Sequence, residues 1–302
     1  MAIIKKFFKK IEKEVRLPLG RYFPQIRSRH PSHNGLRRTL HKLPFRSIVR
    51  LGSTTETNDN INRVEINSIQ SIKNSASKLL MKQKFTEAGV KTAHWWTCKG
   101  EFTEDVEGKH LMLICGIDGQ NDTDIPFPLV AKSHFGSRGV GNTKIDSRQE
   151  LEQWIVGKNL NNYIFEEFIK MTREYRLHVT NDGCFYACRK LLKNDAPEDT
   201  WQRHDDVCSW ALENNPSFKK PNNWNDIVQD CINAKNALGL DICAFDVMVQ
   251  GSKDGVERQN PEWNICESCS APSFGEITLQ KYKEVLPKLI VKKAIEKGIY
   301  HE

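Results

Sequence analysis

Apolar and polar positions alternate with two periods along this chain, and the switches between them mark out its elements. Ser75 to Ala88 carries the 3.6-residue spacing of a helix, with Ser75 as its expected N-cap and Gly89 as its stop. Lys91 to Thr97 reads as strand, Phe127 to Ser133 as a buried strand, 136–142 as a glycine loop, and Thr143 to Ile145 as a short strand. A helix follows over Ser147 to Val156, where Ser147 and Glu150 make a capping box. Tyr163 to Ile169 and Arg173 to Thr180 are strands. The latter meets Cys184 to Leu192 across Asn181-Asp182-Gly183, a hairpin turn. Residues 194–222 are polar with scattered aromatics and read as a long loop of functional type. A helix over Asn225 to Leu238 stops at Gly239. Leu240 to Gln250 and Trp263 to Cys269 form a second strand pair, and a C-terminal helix begins near Thr278. This order predicts an α+β protein with antiparallel sheet.

The first 67 residues do not join this pattern. Ile3, Ile4, Phe7, Phe8, Ile11 and Val15 recur at helical spacing between lysines, a short basic amphipathic helix, and 17–50, with four prolines, read as an irregular arm. Residues 1–50 hold fourteen Lys and Arg against Glu12 and Glu14, so they carry +12 of a net +7 and the remainder is acidic. Such an arm suits nucleic acid, an acidic partner protein or a membrane surface, or is simply solvated. With 302 residues, 38% hydrophobic and 27% charged, and no run of 18 apolar residues, the chain is expected to be soluble. Nine scattered cysteines make no disulfide framework, and the basic start lacks the unbroken apolar stretch of a secretory signal, so a cytoplasmic location is expected.

Three features carry chemistry. Lys132-Ser133-His134-Phe135-Gly136-Ser137-Arg138-Gly139-Val140-Gly141-Asn142 puts an ammonium at a strand end before a loop of three glycines, which suits a polyphosphate or makes an ordinary hairpin. It is neither a Walker loop nor a dinucleotide fingerprint. Asp246 interrupts an otherwise apolar strand, and a buried carboxylate wants a cation. On the last strand Glu267 and Cys269 are two apart and share a face. If the strands are neighbours, Asp246 and Glu267 meet and hold Mg²⁺ through hard oxygens, or else pair with lysines.

Taken in order, Lys78, the Lys132 strand and its loop, Tyr163-Ile164-Phe165-Glu166-Glu167-Phe168-Ile169, Arg173-Glu174-Tyr175-Arg176, the Asp246 strand and Glu267-Ser268-Cys269-Ser270-Ala271-Pro272 resemble the ATP-grasp superfamily. The likeness runs from about residue 68 to the C-terminus and is strongest to the ribosomal-protein glutamate ligase type and to bacteriophage ATP-grasp carboxylate–amine ligases. It implies two α+β subdomains, 68–162 and 163–302, whose antiparallel sheets grip ATP, after a reduced basic region at 1–67. It further implies that Lys78 and Lys132 contact the phosphates under a lid formed by Gly136, Ser137, Arg138, Gly139 and Gly141. Glu166, Glu167 and Phe168 would form the adenine hinge, and Glu174 would bind ribose. Arg176, with either Arg189 or Lys190, would stabilise the transferred phosphoryl group, and Asp246 and Glu267 would hold Mg²⁺ or Mn²⁺. The activity implied is amide formation from a carboxylate and an amine through an acyl phosphate, with Trp201, Arg203 and His204 as candidate acceptor contacts. The family pattern has asparagine where this chain has Cys269, and thiolate is a poor partner for Mg²⁺. A second reading follows from that departure: an ATP-binding module that holds nucleic acid or a partner protein through its basic arm.

Overall fold

The computed structural model describes residues 22–37, 40, 42–57, 63–105, 108–115, 126–136, 139, 141–170, 172–197, 200–201 and 206–301. The expected basic helix at 1–16 lies outside them, as do Ser137, Arg138, Arg203 and His204.

Within the segment expected to be an irregular arm, residues 22–37 and 42–50 are in fact folded. Strands β1 (Gln25–Ser28), β2 (Ser47–Leu51) and β3 (Val64–Ile66) form a parallel three-stranded sheet in that order, with a short helix α1 (Asn34–Arg37) between the first two. Every residue of β2 is buried, the mark of a parallel strand covered on both faces. Prolines at 24, 31 and 44 hid these strands, because they sit just outside strand ends, where a missing N–H costs no ladder bond. The sheet buries Ile26, Val49, Leu51, Val64 and Ile66 against Tyr282, Leu286, Ile290 and Ala294 of the long C-terminal helix (Glu276–Glu296).

Beyond β3, two helices stand where one was expected, α2 (Ile69–Ala76) and α3 (Lys78–Glu87). Ser68 and Ser77 are their caps, accepting from the N–H of Ser71 and Leu80, so the break falls at Ser77 and Ser75 lies inside α2. Gly89 ends α3 at φ +66°, as expected. Strands β4 (Trp95–Trp96), β5 (Cys98–Asp105), β6 (Gly108–Cys115), β7 (Leu129–Ser133) and β8 (Thr143–Ile145) follow, then α4 (Arg148–Trp154) and β9 (Tyr163–Glu167). Ser147 accepts from the Glu150 N–H, but the Glu150 carboxylate reaches back to the N–H of Asp146.

The antiparallel sheet β4-β9-β7-β8 encloses a small core of Trp96, Leu129, Ala131, Ile145, Leu151 and Phe165. Because β9 is an inner strand of this sheet, a division at residue 163 would cut through it; the sheets part after Glu167.

The larger sheet contains β10 (Arg173–Thr180), β11 (Gly183–Leu192), β12 (Cys208–Leu212), β13 (Cys243–Val249) and β14 (Trp263–Cys269), ordered β12-β11-β10-β13-β14 and antiparallel throughout. The expected long loop at 194–222 thus contains an edge strand. One face of the sheet packs Tyr175, Leu177, Val179, Phe245, Val247 and Ile265 against α5 (Trp224–Ala237) and against Ile72, Met81 and Phe85 of α2 and α3. The C-terminal helix is α6. Among the described residues no helix is long and apolar enough to cross a membrane.

Candidate active site

The period of two along β10 decides where charge goes. Tyr175, Leu177 and Val179 enter the core, so Glu174, Arg176 and His178 stand on the opposite face. Strand register then lines up their partners: Arg176 pairs with Asp246, Asp246 with Glu267, and Glu174 with Lys190. Arg176 grips Asp246 with two bonds, Nε to Oδ1 at 2.7 Å and Nη2 to Oδ2 at 2.8 Å, the planar fork matching the carboxylate. Lys190 bonds the Glu174 carboxylate and lies 3.5 Å from Asp246 Oδ2. Burial works to raise the Asp246 pKa, but Arg176 and Lys190 overcome it and hold the carboxyl well below the usual range. Both cations lean on the half-exposed indole of Trp210 from the edge strand, at 5.3 and 5.5 Å from the ring centre.

Glu267 reaches this face only through an irregularity. Val247 is opposite Ile265 while Asp246 is opposite Glu267, so Cys266 is an extra residue in β14. In a regular strand Glu267 would share the face of Ile265, which is buried in the core. The bulge turns the carboxylate over to meet Asp246. Burial pushes the Cys266 thiol up to about 12, so the bulged residue is neutral.

A second group of charges comes from the smaller sheet and α3. Lys78, the first residue of α3, donates to the Gly136 carbonyl at 2.6 Å and sits 3.4 Å from Glu267 Oε1, joining the start of the glycine loop to the larger sheet. Gly139 and Gly141 take φ of +71° and +80°, a backbone that favours glycine. Lys132 Nζ lies 2.8 Å from Glu166 Oε2, and the same carboxylate meets Lys82 Nζ at 3.3 Å. Burial opposes charge on Lys132, yet Glu166 and Glu267 raise its pKa. Burial lowers the pKa of His134, and its buried Nε2 has no hydrogen-bond partner among the described residues.

Asp246, Glu267, Arg176, Lys190, Glu174, Lys78 and Lys132 therefore lie in one connected constellation, and Gly136 touches it. Arg189 does not. Next to Lys190 in the strand, it points to the other face, with its guanidinium 5.8 Å from the Tyr175 ring and Nη1 donating to the Ser217 carbonyl at 2.9 Å. Of the two candidates the fold brings only Lys190 to Asp246. In the segment expected to form the adenine hinge, Glu167 is exposed, and the N–H groups of Glu167 and Phe168 donate to His94 and Pro128 carbonyls. Trp201 meets Phe168 edge-on at 6.1 Å. Sequence reasoning missed Lys82 and Trp210. Lys82 follows Lys78 by one helical turn, which was the available signal; Trp210 lay in the presumed loop and gave none.

Among the described residues no three His, Cys, Asp or Glu side chains are grouped to hold a metal ion. The donor set does fit a hard cation that completes its shell elsewhere, since Asp246 and Glu267 offer carboxylate oxygens from paired positions.

No family model matches the sequence, and no curated relative matches it. Among solved structures, D-alanine–D-alanine ligase from Bacillus anthracis complexed with ATP is similar over 83% of this chain and 79% of its own, at 14% identity and a TM-score of 0.52. Another structure of D-alanine–D-alanine ligase from Bacillus anthracis aligns at 16% identity over 78% and 71%, with a TM-score of 0.46. The ATP-grasp ligase PsnB complexed with minimal precursor aligns at 13% identity over 77% and 66%, with a TM-score of 0.44. At such identities the likeness is one of architecture, and it rests on the ATP-complexed ligase: two α+β units, each built on an antiparallel sheet, the ATP-grasp fold.

Proposed function

We propose that this protein is an ATP-dependent carboxylate–amine ligase that forms an amide bond through an acyl phosphate. The observation that carries the reading is the row Arg176–Asp246–Glu267 across three neighbouring strands, flanked by Lys190, Lys78 and Lys132.

Asp246 and Glu267 are the residues that would hold Mg²⁺ or Mn²⁺, with nucleotide oxygens as further ligands. The ion, when bound, neutralises phosphate charge. Lys132 and Lys78 would bind the phosphates, Lys78 exchanging the Gly136 carbonyl for a phosphate oxygen. The unsatisfied Nε2 of His134 is a further polar atom beside that loop. Glu166 would accept from an adenine amino group: its Oε1 meets Lys82 in an ion pair whose geometry falls short of a hydrogen bond, which leaves acceptor capacity. Glu174 would bind ribose.

A substrate carboxylate oxygen then attacks the γ-phosphorus and ADP leaves. Arg176 and Lys190 stabilise the charge that develops during this transfer, since they are already fixed by carboxylates and need little reorganisation. An amine next attacks the acyl carbon, and phosphate leaves with the surplus proton.

Purified protein with MgATP, screened against paired libraries of carboxylates and amines, should release phosphate only when both partners of a productive pair are present. Tight MgATP binding with no phosphate release in any pairing would instead support a nucleotide-holding module whose basic N-terminal residues engage nucleic acid or an acidic partner.

A further inference from the structure

Lys82 has no place in the chemistry above, and its position is unusual. Its side chain is fully buried on α3 between Met81 and Phe85, two residues of the core beneath the larger sheet. An ammonium there is costly, and burial lowers its pKa against the opposing pull of Glu166. Stability does not account for it. Glu166 already has Lys132 at 2.8 Å, so two lysines share one buried carboxylate, and removing Lys82 would leave a balanced pair.

What Lys82 does is connect the two sheets. Its Nζ donates to the Thr92 hydroxyl, which donates to the Ile265 carbonyl of β14 at 2.9 Å, and it meets Glu166 of β9 at 3.3 Å. Glu166 in turn holds Lys132 of β7. A polar chain thus runs from the strand that bears Glu267, through Lys82, to the carboxylate and ammonium on the opposite wall.

We infer that Lys82 is a positioning residue, one that pins the Glu166 carboxylate so that it accepts from an amino-bearing purine and at the same time aims Lys132 at the phosphates. The inference rests on the nucleotide reading given above. A carboxylate pinned in this way accepts but cannot donate, so it discriminates a 6-amino purine from a 6-oxo purine. Lys132 already holds Oε2, so without Lys82 nothing fixes Oε1, the carboxylate is free to rotate about its bond to Lys132, and the discrimination falls.

The test is calorimetric titration of MgATP and MgGTP into the full chain. The unsubstituted protein should bind MgATP at least about tenfold more tightly than MgGTP, a difference of roughly one buried hydrogen bond. Lys82→Met should melt at or above the original temperature, bind MgATP about tenfold more weakly, and prefer it by no more than about twofold. Glu166→Gln should lose the same preference, because its amide can turn to donate, and the double variant should lose no more than either single one. A Lys82→Met protein that keeps both affinities, or that melts lower with its preference intact, overturns the inference and leaves nucleotide binding standing. An unsubstituted protein that binds neither nucleotide removes the nucleotide reading as well.

Discussion

At the scale of single residues the site is organised by groups whose ionisation is fixed by burial and by neighbours. His178, two strand positions beyond Arg176, is fully buried with Nδ1 3.0 Å from the Tyr282 hydroxyl, and burial, aided by Arg176, lowers its pKa to about 3. Its folded pKa lies below the unfolded value of about 6.5, so the unfolded chain binds the extra proton. The resulting stability is complete above pH 6.5 and is lost as pH falls towards 3, at up to about 1.4 kcal/mol per pH unit. Urea unfolding at pH 7, 6, 5 and 4 should show this slope, and His178→Gln should flatten it. Arg176→Ala takes the bidentate partner from Asp246 and leaves Lys190 at 3.5 Å as the remaining cation. A loss of about 2–4 kcal/mol is expected, recovered in part by a second change, Asp246→Asn, when the variants are unfolded in denaturant.

At the scale of elements, two backbone features decide what meets what. Gly52 has φ +75°, and a Cβ there would lie 2.5 Å from that of Ala271, so the end of β2 presses on the segment that follows Glu267. Gly52→Ala should cost about 1–3 kcal/mol in thermal unfolding, and Ala271→Gly should relieve only the part due to the clash. The bulge in β14 is the other feature. Cys266→Ala should be nearly neutral to folding, because chain length and not the thiol sets the register. Deleting Cys266 should drive Glu267 towards the apolar face, costing more than about 3 kcal/mol and abolishing MgATP binding measured by titration. The residues of β13 and β14 were legible from their pattern. Their relative facing was not, since alternation alone would put Glu267 with Ile265, and a bulge has no reliable signature in one sequence.

At the scale of the whole molecule, the N-terminal segment is part of the core. Ile26, Leu36, Leu43 and Val49 are buried with the long C-terminal helix, so removing residues 1–50 should expose that helix and abolish cooperative unfolding in circular dichroism. Asn67 ties the same segment to the larger sheet from a buried position at φ +58°. Its amide donates to the carbonyls of Arg50 and Ile242 and accepts from the N–H groups of Asp241 and Ile242. Charge and prolines alone read residues 17–50 as an irregular arm. Only the contact of these short strands with a helix more than 200 residues away shows otherwise.

The sequence by itself determined most of the alternation of helices and antiparallel strands from residue 78 onward, though not the edge strand β12, together with the glycine loop after Lys132 and the acidic and basic residue types from which a phosphate site could be built. These are local properties, encoded in periods of two and 3.6 residues and in turn chemistry. Tertiary structure alone decided that Lys190 and not Arg189 faces Asp246, that Glu267 is turned to join it, and that Lys82 shares Glu166 with Lys132. Each depends on strand register or on packing between distant elements, where a shift of one residue exchanges the core for the site.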